Sequence, residues 1–452
     1  MMKNFVKQIA LGAMLVSGAL VAVTAQAASW TVLDLGPANG NLRLNNAGQV
    51  VGSYNTGVQN SGNWTSFVTG PNGANRVNIS PLDGSDVLAV DINDAGQFVA
   101  QSSASATTPQ TGYPYATATY GSLLQALPAT SYLYGAGAIN QLGQVVGYNV
   151  ATSSMFLTGP NGQGLTPLTV GNGNSSPRDL NSSGQVLYID QAGGVFITGP
   201  NGQGSSRVTP SVPVDYMSGY ALNDAGQVVG SLRRGGDNLP RAFVTGANGV
   251  GVVELGNLGA QYSEALGVNK LGQVVGMLDT PVSGGGSHAF ITGPNGTGIR
   301  DLSLEVKLPV GYLTSAYAIN DKGQVAAFDY YNDRAYLLTP VIACSAKYKV
   351  TSSSATKFSA QVTVANLTAA SLTGWNVGWT YSAATKISNV SNASISINAA
   401  HVVSAGPFVF NKTIKANGST VFTFTGTKGA QVPAASDFKA VLGGNVCSVT
   451  VQ

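Results

Sequence analysis

Residues 264–302 read EALGVNKLGQVVGMLDTPVSGGGSHAFITGPNGTGIRDL and contain four short apolar runs separated by turn residues. The first two runs flank Asn-x-x-Gly-Gln, where Asn can bond its own backbone two residues on and Gly tolerates a positive φ. A variable loop leads to the third run, and Gly-Pro-Asn-Gly separates the third run from the fourth. The stretch therefore predicts four antiparallel strands in about 45 residues, which is the content of one propeller blade.

The Asn-x-x-Gly-Gln turn recurs along most of the chain, beginning at Asn45, Asn93, Asn140, Asn181, Asn223, Asn269 and Asn320. A period in the forties indicates an array of supersecondary units. The seventh unit lacks a fourth run, and WTVLDLG at 30–36 matches a fourth strand and precedes the first turn. We therefore predict an all-β fold in which this N-terminal strand closes a seven-bladed β-propeller, residues 28–341. An open β-solenoid is the alternative.

Residues 1–27 are typical of a signal peptide. Lys3 and Lys7 precede an apolar stretch, and Ala25-Gln26-Ala27 is a small-residue cleavage signature. We expect the mature chain to be secreted, with the periplasm or the outside of the cell left open. Removing two lysines from a net charge of +3 leaves about +1, which argues against nucleic acid or acidic lipid as a partner. We expect a monomer that binds neither nucleic acid nor membranes.

The C-terminal region, residues 342–452, has a different composition. Ser, Thr, Ala and Val alternate with apolar residues, as in KFSAQVTVAN at 357–366, and this pattern predicts a β-sandwich. The only two cysteines, Cys344 and Cys447, bracket the region. In an exported chain we expect them to form a disulfide.

The repeats resemble the HAF family of extracellular repeats. The third run recurs as SFVTGPNG at 66–73 and VFITGPNG at 195–202, and the naming triad occurs literally as His288-Ala289-Phe290. The resemblance covers about residues 30–340 and implies an extracellular, propeller-like array. It implies no defined activity.

The C-terminal region resembles the family-two carbohydrate-binding modules, many of which bind cellulose and some xylan. The matching features are the terminal cysteines, FSAQVTVAN at 358–366, the strand with Trp375, and FNKTI at 410–414. The resemblance implies a polysaccharide ligand and a core role for Trp375. Of the exposed tryptophans that cellulose binders carry, the first is replaced by Ser354, the second falls near Ser391, and the third is Phe410.

Candidate sugar-binding residues follow from this comparison. We expect Phe410 and Asn411 to contact carbohydrate, and binding that has moved elsewhere would use other aromatic residues, namely Tyr348, Tyr381 and Phe408. In the propeller, the loops opposite the uniform turns vary in sequence, and rigid scaffolds usually carry binding groups on such loops. The candidates on this variable face, which could instead only pack the loops together, are Tyr54, Trp64, Tyr132, Tyr134, Tyr330 and Tyr331.

Catalysis has weak support in the sequence. Glycoside hydrolysis normally needs two carboxyl groups at a defined separation, and the carboxylates on the variable loops are Asp237, Asp279, Asp329 and Asp333. Two histidines, His288 and His401, argue against a catalytic triad or a metal site, and we expect no cofactor. The main hypothesis is a secreted, non-catalytic polysaccharide-binding or adhesion protein. The alternatives are a glycoside hydrolase or polysaccharide lyase with its site on the propeller, and an extracellular protein-interaction scaffold.

Overall fold

The computed structural model describes residues 30–57, 64–79, 86–103, 113–116, 125–126, 133–149, 152–170, 174–280, 286–443 and 445–452. The expected signal peptide lies outside the described residues. The chain divides into two compact units, Ser29–Val341 and Ile342–Gln452. Among the described residues, no helix has the length and apolar character needed to cross a bilayer.

The described part of the first unit consists of seven four-stranded antiparallel sheets. The chain begins with β1 (Trp30–Pro37), which belongs to the last sheet. The next three sheets are β2 (Arg43–Leu44), β3 (Val50–Asn55), β4 (Trp64–Val68) and β5 (Val77–Ile79); β6 (Asp86–Ile92), β7 (Phe98–Ser103), β8 (Tyr113–Ala116) and β9 (Gln125–Ala126); and β10 (Leu133–Ile139), β11 (Val145–Asn149), β12 (Ser154–Leu157) and β13 (Thr166–Pro167).

Three further sheets follow the same order of strands. They are β14 (Ser176–Leu180), β15 (Val186–Ile189), β16 (Val195–Thr198) and β17 (Ser205–Arg207); β18 (Tyr216–Leu222), β19 (Val228–Arg233), β20 (Arg241–Thr245) and β21 (Val252–Glu254); and β22 (Ser263–Val268), β23 (Val274–Thr280), β24 (Gly286–Ile291) and β25 (Arg300–Asp301). A short helix, α1 (Leu302–Glu305), replaces the end of the fourth strand expected there, and Asp301 caps it by accepting from Leu304 N.

The last sheet joins the two ends of the unit. It contains β26 (Ser315–Ile319), β27 (Val325–Asp329) and β28 (Arg334–Pro340), and β1 pairs antiparallel with β28 from Trp30↔Pro340 to Pro37↔Arg334. Leu35 of β1 packs in one core cluster with Phe67 of the first sheet and Phe328 of the last. The N-terminal strand therefore closes the array, as the order of the sequence elements predicts.

Two kinds of turn lie at one end of the sheets. Pro-Asn-Gly and Ala-Asn-Gly form single 3-10 turns in which the Asn has φ between 51° and 54°. Asn is one of the few residues other than Gly that adopts this region readily. In the first sheet, Asn72 N and Gly73 N donate to Ala47 O and Gly48 O. These bonds confirm the expectation that both kinds of turn share one face of the propeller.

The second unit is a β-sandwich. The strands are β29 (Cys344–Ser353), β30 (Lys357–Asn366), β31 (Leu372–Thr373), β32 (Trp375–Tyr381), β33 (Ile387–Ser391), β34 (Ser394–Ile397), β35 (Val402–Gly406), β36 (Thr413–Ile414), β37 (Ser419–Thr427), β38 (Ala435–Leu442), β39 (Asn445–Val446) and β40 (Ser448–Val451). One sheet has the order β33-β37-β30-β29-β40, the other has the order β34-β35-β32-β38-β39, and β31 pairs with β36.

The expected disulfide is present. Cys344 and Cys447 are bonded across a separation of 103 residues, and both are buried in the sandwich core. In the chain-entropy account, a loop of this length contributes about 4.7 kcal/mol to the free energy of unfolding. The all-β class, with a propeller-like unit followed by a β-sandwich, is confirmed.

Candidate functional site

The seven Asn-x-x-Gly-Gln turns meet in a closed ring of hydrogen bonds. In each turn, the Asn Oδ1 accepts from the backbone N–H groups two and four residues later, as at Ala225 N and Gln227 N for Asn223. The Asn Nδ2 donates to the backbone O of the equivalent Asn in the next sheet, at 2.8 to 3.1 Å. The last of these bonds, from Asn320 to Asn45 O, returns to the first sheet.

The glutamine of the motif strengthens the same contact. In every turn the Gln Oε1 accepts from the Asn Nδ2 at 2.8 to 2.9 Å. In several turns, including that of Gln227, the Nε2 donates to the Pro-Asn-Gly or Ala-Asn-Gly asparagine of the next sheet. The sequence predicts a turn at this motif, and the structure shows that the motif also joins neighbouring sheets by hydrogen bonds.

The ring surrounds a central cavity of about 180 Å³, lined by residues of all seven turns. Two carboxyl groups, those of Asp91 and Asp179, are among the groups that line this cavity. Asp91 and Asp179 belong to the first strands of their sheets and accept from Ile139 N and Leu222 N of the next sheets. Burial and the neighbouring Asp179 carboxylate raise the pKa of Asp91 to about 7, although Arg43 opposes the shift. Burial also raises the pKa of Asp179. These carboxyl groups serve as acceptors between sheets.

Asp91→Asn is expected to stabilise the propeller at neutral pH, because the amide oxygen still accepts from Ile139 N and carries no charge. A carboxyl whose folded-state pKa exceeds its unfolded value near 3.9 stabilises the fold fully below about pH 4 and loses this contribution as pH rises to about 7. The loss is at most about 4 kcal/mol. Thermal unfolding of variant and wild type should coincide at pH 4 and diverge towards pH 8. Asp437→Asn, in the other unit, is the control, and a constant difference across this range would contradict the prediction.

The structure separates the aromatic candidates of the variable face. Tyr54 and Trp64 are half-buried, and the Arg76 guanidinium lies 4.8 Å from the Tyr54 ring centroid. The Tyr54 ring therefore packs against Arg76. Tyr132 lies outside the described residues, and so does the side chain of Tyr134. Tyr330 and Tyr331 are 68% and 61% exposed and lie side by side between β27 and β28.

Two of the candidate carboxylates are already engaged. Asp329 is fully buried and accepts from Tyr331 N, Asn332 N and Asn332 Nδ2. Asp237 forms an ion pair with Arg241, and that hydrogen bond is the main reason why the pKa of Asp237 falls to about 2. A carboxylate with a pKa near 2, such as that of Asp237, is poorly suited to proton transfer near neutral pH. Within the part of the chain that the structure describes, Asp279 and Asp333 form no ion pair.

Two of the sugar-binding candidates in the sandwich are wrong. Tyr348 and Tyr381 are each 2% exposed, and their hydroxyl groups bond to each other at 3.1 Å inside the core. They belong to the inward face of β29 and β32, together with residues such as Ala346 and Trp379. Neither ring can reach a polysaccharide. Trp375 is fully buried, which confirms its expected packing role.

The remaining candidates lie on the surface of the sandwich. Phe410 is 74% exposed, and its ring stacks on the exposed Phe408 ring at a centroid distance of 5.8 Å. Asn411 holds this segment in place, because its Oδ1 accepts from Phe408 N and its Nδ2 donates to Asn392 O. Trp375 Nε1 donates to Asn411 O from below. Asn411 therefore supports the Phe408–Phe410 pair.

A polar sheet face lies beside this pair. The outward side chains of β33, β37, β30 and β29 include hydroxyl, amide and ammonium groups, and Ser391 Oγ bonds to Thr423 Oγ1 at 2.7 Å. Ser391 directly precedes Asn392, the partner of Asn411. Further outward residues in neighbouring register are Gln361, Thr363, Lys347 and Lys349. Ser354 is exposed at the β29–β30 turn, with its N–H bonded to Lys357 O.

The sandwich also matches a known family. Residues 344–447 match the family model of the cellulose binding domain. Among solved structures, this region is similar to the chitin-binding domain of Chi18aC from Streptomyces coelicolor, with 26% identity over 22% of this chain and 90% of that chain, at a TM-score of 0.19. It is also similar to the cellulose-binding family 2 carbohydrate binding domain from ScLPMO10C, with 27% identity, 21% and 91% coverage, and a TM-score of 0.18.

The chain is also similar to the β-propeller domain of the Trilobed protease from Pyrococcus furiosus, with 9% identity over 70% of this chain and 94% of that chain, at a TM-score of 0.45.

Some contacts of the candidate sites could not be identified from the sequence. Tyr312, whose ring lies 5.6 Å from that of Tyr331, precedes β26 in a connection with no recurring pattern. The ring of Asn-to-Asn hydrogen bonds can be predicted only when it is known which turns are neighbours in space. The sevenfold recurrence of Gln four residues after Asn is the one sequence signal that indicates a shared role for these side chains.

Proposed function

We propose that this protein is exported and binds an insoluble neutral polysaccharide through its cellulose binding domain, without catalysing a reaction. The proposal rests on one observation, the exposed Phe408–Phe410 pair beside a polar sheet face. Flat aromatic rings can stack on the apolar face of a sugar ring, and neighbouring hydroxyl and amide groups can bond its hydroxyls. The match of residues 344–447 to the cellulose binding domain supports the same ligand class.

The polymers to be tested follow from the sandwich and the family match. Cellulose is named by the family, and xylan and chitin share its β-linked, uncharged backbone. The absence of tryptophan at the positions of Ser354, Ser391 and Phe410 argues for weaker binding than a three-tryptophan surface gives. Each ring contributes about 1 to 1.5 kcal/mol, by analogy with aromatic pairs.

The propeller is proposed to be the adhesion part of the same exported protein. Its repeats carry the HAF-type pattern, and the buried disulfide of the neighbouring unit favours an oxidising compartment outside the cytoplasm. The two ion-paired or saturated carboxylates described above support a non-catalytic propeller.

Phe410→Ala in the full chain is expected to weaken binding to cellulose, xylan or chitin about tenfold, because one stacking ring is lost. Phe410→Trp, which enlarges the ring, is expected to strengthen binding. The measurement is depletion of the protein from solution by each insoluble polymer, over a range of polymer concentrations.

Val409→Ala is the matched control, since Val409 is 95% exposed on the same 3-10 turn and has no ring. Its affinity should stay within about twofold of the wild type. The wild type failing to bind all three polymers would contradict the proposal. Release of reducing sugar during incubation would show that the protein is an enzyme.

A further inference from the structure

The propeller carries an aromatic patch of its own, formed by Tyr312, Tyr330 and Tyr331. The Tyr330 and Tyr331 rings meet edge to face at a centroid distance of 5.8 Å, and Tyr312 lies 5.6 Å from Tyr331. Exposed aromatic side chains that contact one another so closely form a continuous surface. The patch joins two sheets, because the Tyr312 ring is also 5.3 Å from the His288 ring of β24.

The turn that carries the two exposed tyrosines is held rigidly. The buried Asp329 carboxylate accepts from Tyr331 N and from both nitrogens of Asn332, and Tyr330 N donates to Thr314 Oγ1. The turn is therefore already ordered in the folded protein, so ligand binding does not carry the entropy cost of ordering it. A tyrosine pair that served only to cover the core would not need to be this exposed.

Two glycines allow Tyr312 to take its place. A Cβ at Gly286 would overlap the Tyr312 hydroxyl, and a Cβ at Gly311, which has φ +75°, would overlap the Asp329 and Asn332 side chains. Burial, together with the neighbouring Tyr331 side chain, raises the pKa of Tyr312 to about 12. The Tyr312 side chain is thus uncharged at neutral pH.

Two pairs of charged groups lie close to the patch. His288 Nδ1 lies 2.7 Å from Asp301 Oδ2, and Arg334 is paired with Asp34 at 2.7 Å. Asp329 is saturated by hydrogen bonds, which leaves the exposed Asp333 as the nearby acid in the turn. With these two cations paired, the rings and hydroxyls of the surface suit an uncharged polymer better than an anionic one.

We propose that Tyr312, Tyr330 and Tyr331 form a second, propeller-borne binding site for a neutral polysaccharide. The site extends the polysaccharide-binding function proposed above, and it uses residues of the other unit. It can therefore be tested separately from the Phe408–Phe410 pair.

The test uses the full chain with Phe408→Ala and Phe410→Ala, which removes the rings of the sandwich. Calorimetric titration with cellohexaose, xylohexaose and chitohexaose should still detect binding of at least one of them. Adding Tyr330→Ala is expected to weaken this binding about tenfold, and adding Tyr331→Ala as well should weaken it further. Tyr330→Phe together with Tyr331→Phe keeps the rings, so the affinity should stay within about threefold of that of the parent, which is the chain with Phe408→Ala and Phe410→Ala.

Tyr216→Ala is the matched control, because Tyr216 is a half-exposed tyrosine in a different sheet of the propeller. Tyr330→Ala alone is the variant least able to disturb folding, since the described ring contact of Tyr330 is with Tyr331. An unchanged thermal midpoint verifies its fold. The proposal is overturned if the parent binds none of the three oligosaccharides, if Tyr330→Ala leaves the affinity unchanged, or if the parent binds only polygalacturonate. Loss of binding by Phe410→Ala in the wild-type background reports on the sandwich and leaves this result unaffected.

Discussion

Deleting Trp30–Pro37 is expected to lower the thermal midpoint of the propeller by more than about 10 °C, or to prevent its folding. The deletion removes the pairing of β1 with β28, and it also removes the buried Leu35 side chain. It also exposes the edge of β28, which invites aggregation. Losing one strand ladder and one buried leucine costs about 5 kcal/mol or more. Calorimetry or circular dichroism of the truncated and intact chains measures this change.

Two point substitutions on the same strand separate packing from general damage. Leu35 is 5% exposed and Leu33 is 42% exposed, so Leu35→Ala should cost about 2 to 4 kcal/mol and Leu33→Ala less than about 1. Adding the peptide WTVLDLGP to the truncated protein should restore part of the lost stability. A truncated protein that melts at the temperature of the intact one would show that β1 does not hold the ring closed.

The closure was accessible from the sequence because its signals are local. Asn, Gly and Pro indicate the hairpin turns, and each run of apolar residues is short enough to be a strand. Counting strands per repeat then leaves one strand missing at Leu338 and one unassigned at Trp30. The order of elements along the chain was enough to pair them.

The buried position of Tyr348 and Tyr381 in the sandwich can also be predicted from local sequence. Tyr348 has the same parity along β29 as Cys344 and Ala346, and Tyr381 has that of Trp375 and Trp379 along β32. A period of two places both tyrosines on the inward face. The family resemblance favours aromatic residues as binding platforms, whereas the alternation of buried and exposed positions assigns these two tyrosines to the core.

Other features required three-dimensional neighbours. The Tyr312–Tyr331 contact joins a connection to a turn in the same sheet, and nothing in the spacing of these residues predicts it. The amide ring is similar, because a turn asparagine with a bonded Oδ1 looks complete in the sequence. Its Nδ2 has to donate as well, since the group is buried. Only the position of the next sheet shows which oxygen accepts this hydrogen bond.

Asn223→Ala is expected to destabilise the propeller by about 4 kcal/mol or more. Asn223 is buried, its Oδ1 accepts from Ala225 N and Gln227 N, and its Nδ2 donates to Gln227 Oε1 and Asn269 O. Alanine leaves these four groups without their partner, and each unsatisfied buried group costs about 1 to 3 kcal/mol. The matched control is Asp224→Ala, because Asp224 is exposed and accepts from Ser182 N, so its loss should cost less than about 1 kcal/mol.

Asn223→Asp separates the turn from the ring. One carboxylate oxygen can still accept from Ala225 N and Gln227 N, whereas the other then faces the oxygens of Gln227 and Asn269, which are acceptors. At pH 7 we expect this variant to be at least as unstable as Asn223→Ala, because a buried charge is added. At about pH 4 a protonated carboxyl can donate to Asn269 O, so the variant should recover part of its stability relative to Asn223→Ala. If Asn223→Asp instead matched the wild type at neutral pH, the turn alone would account for the motif, and the bond between sheets would contribute little.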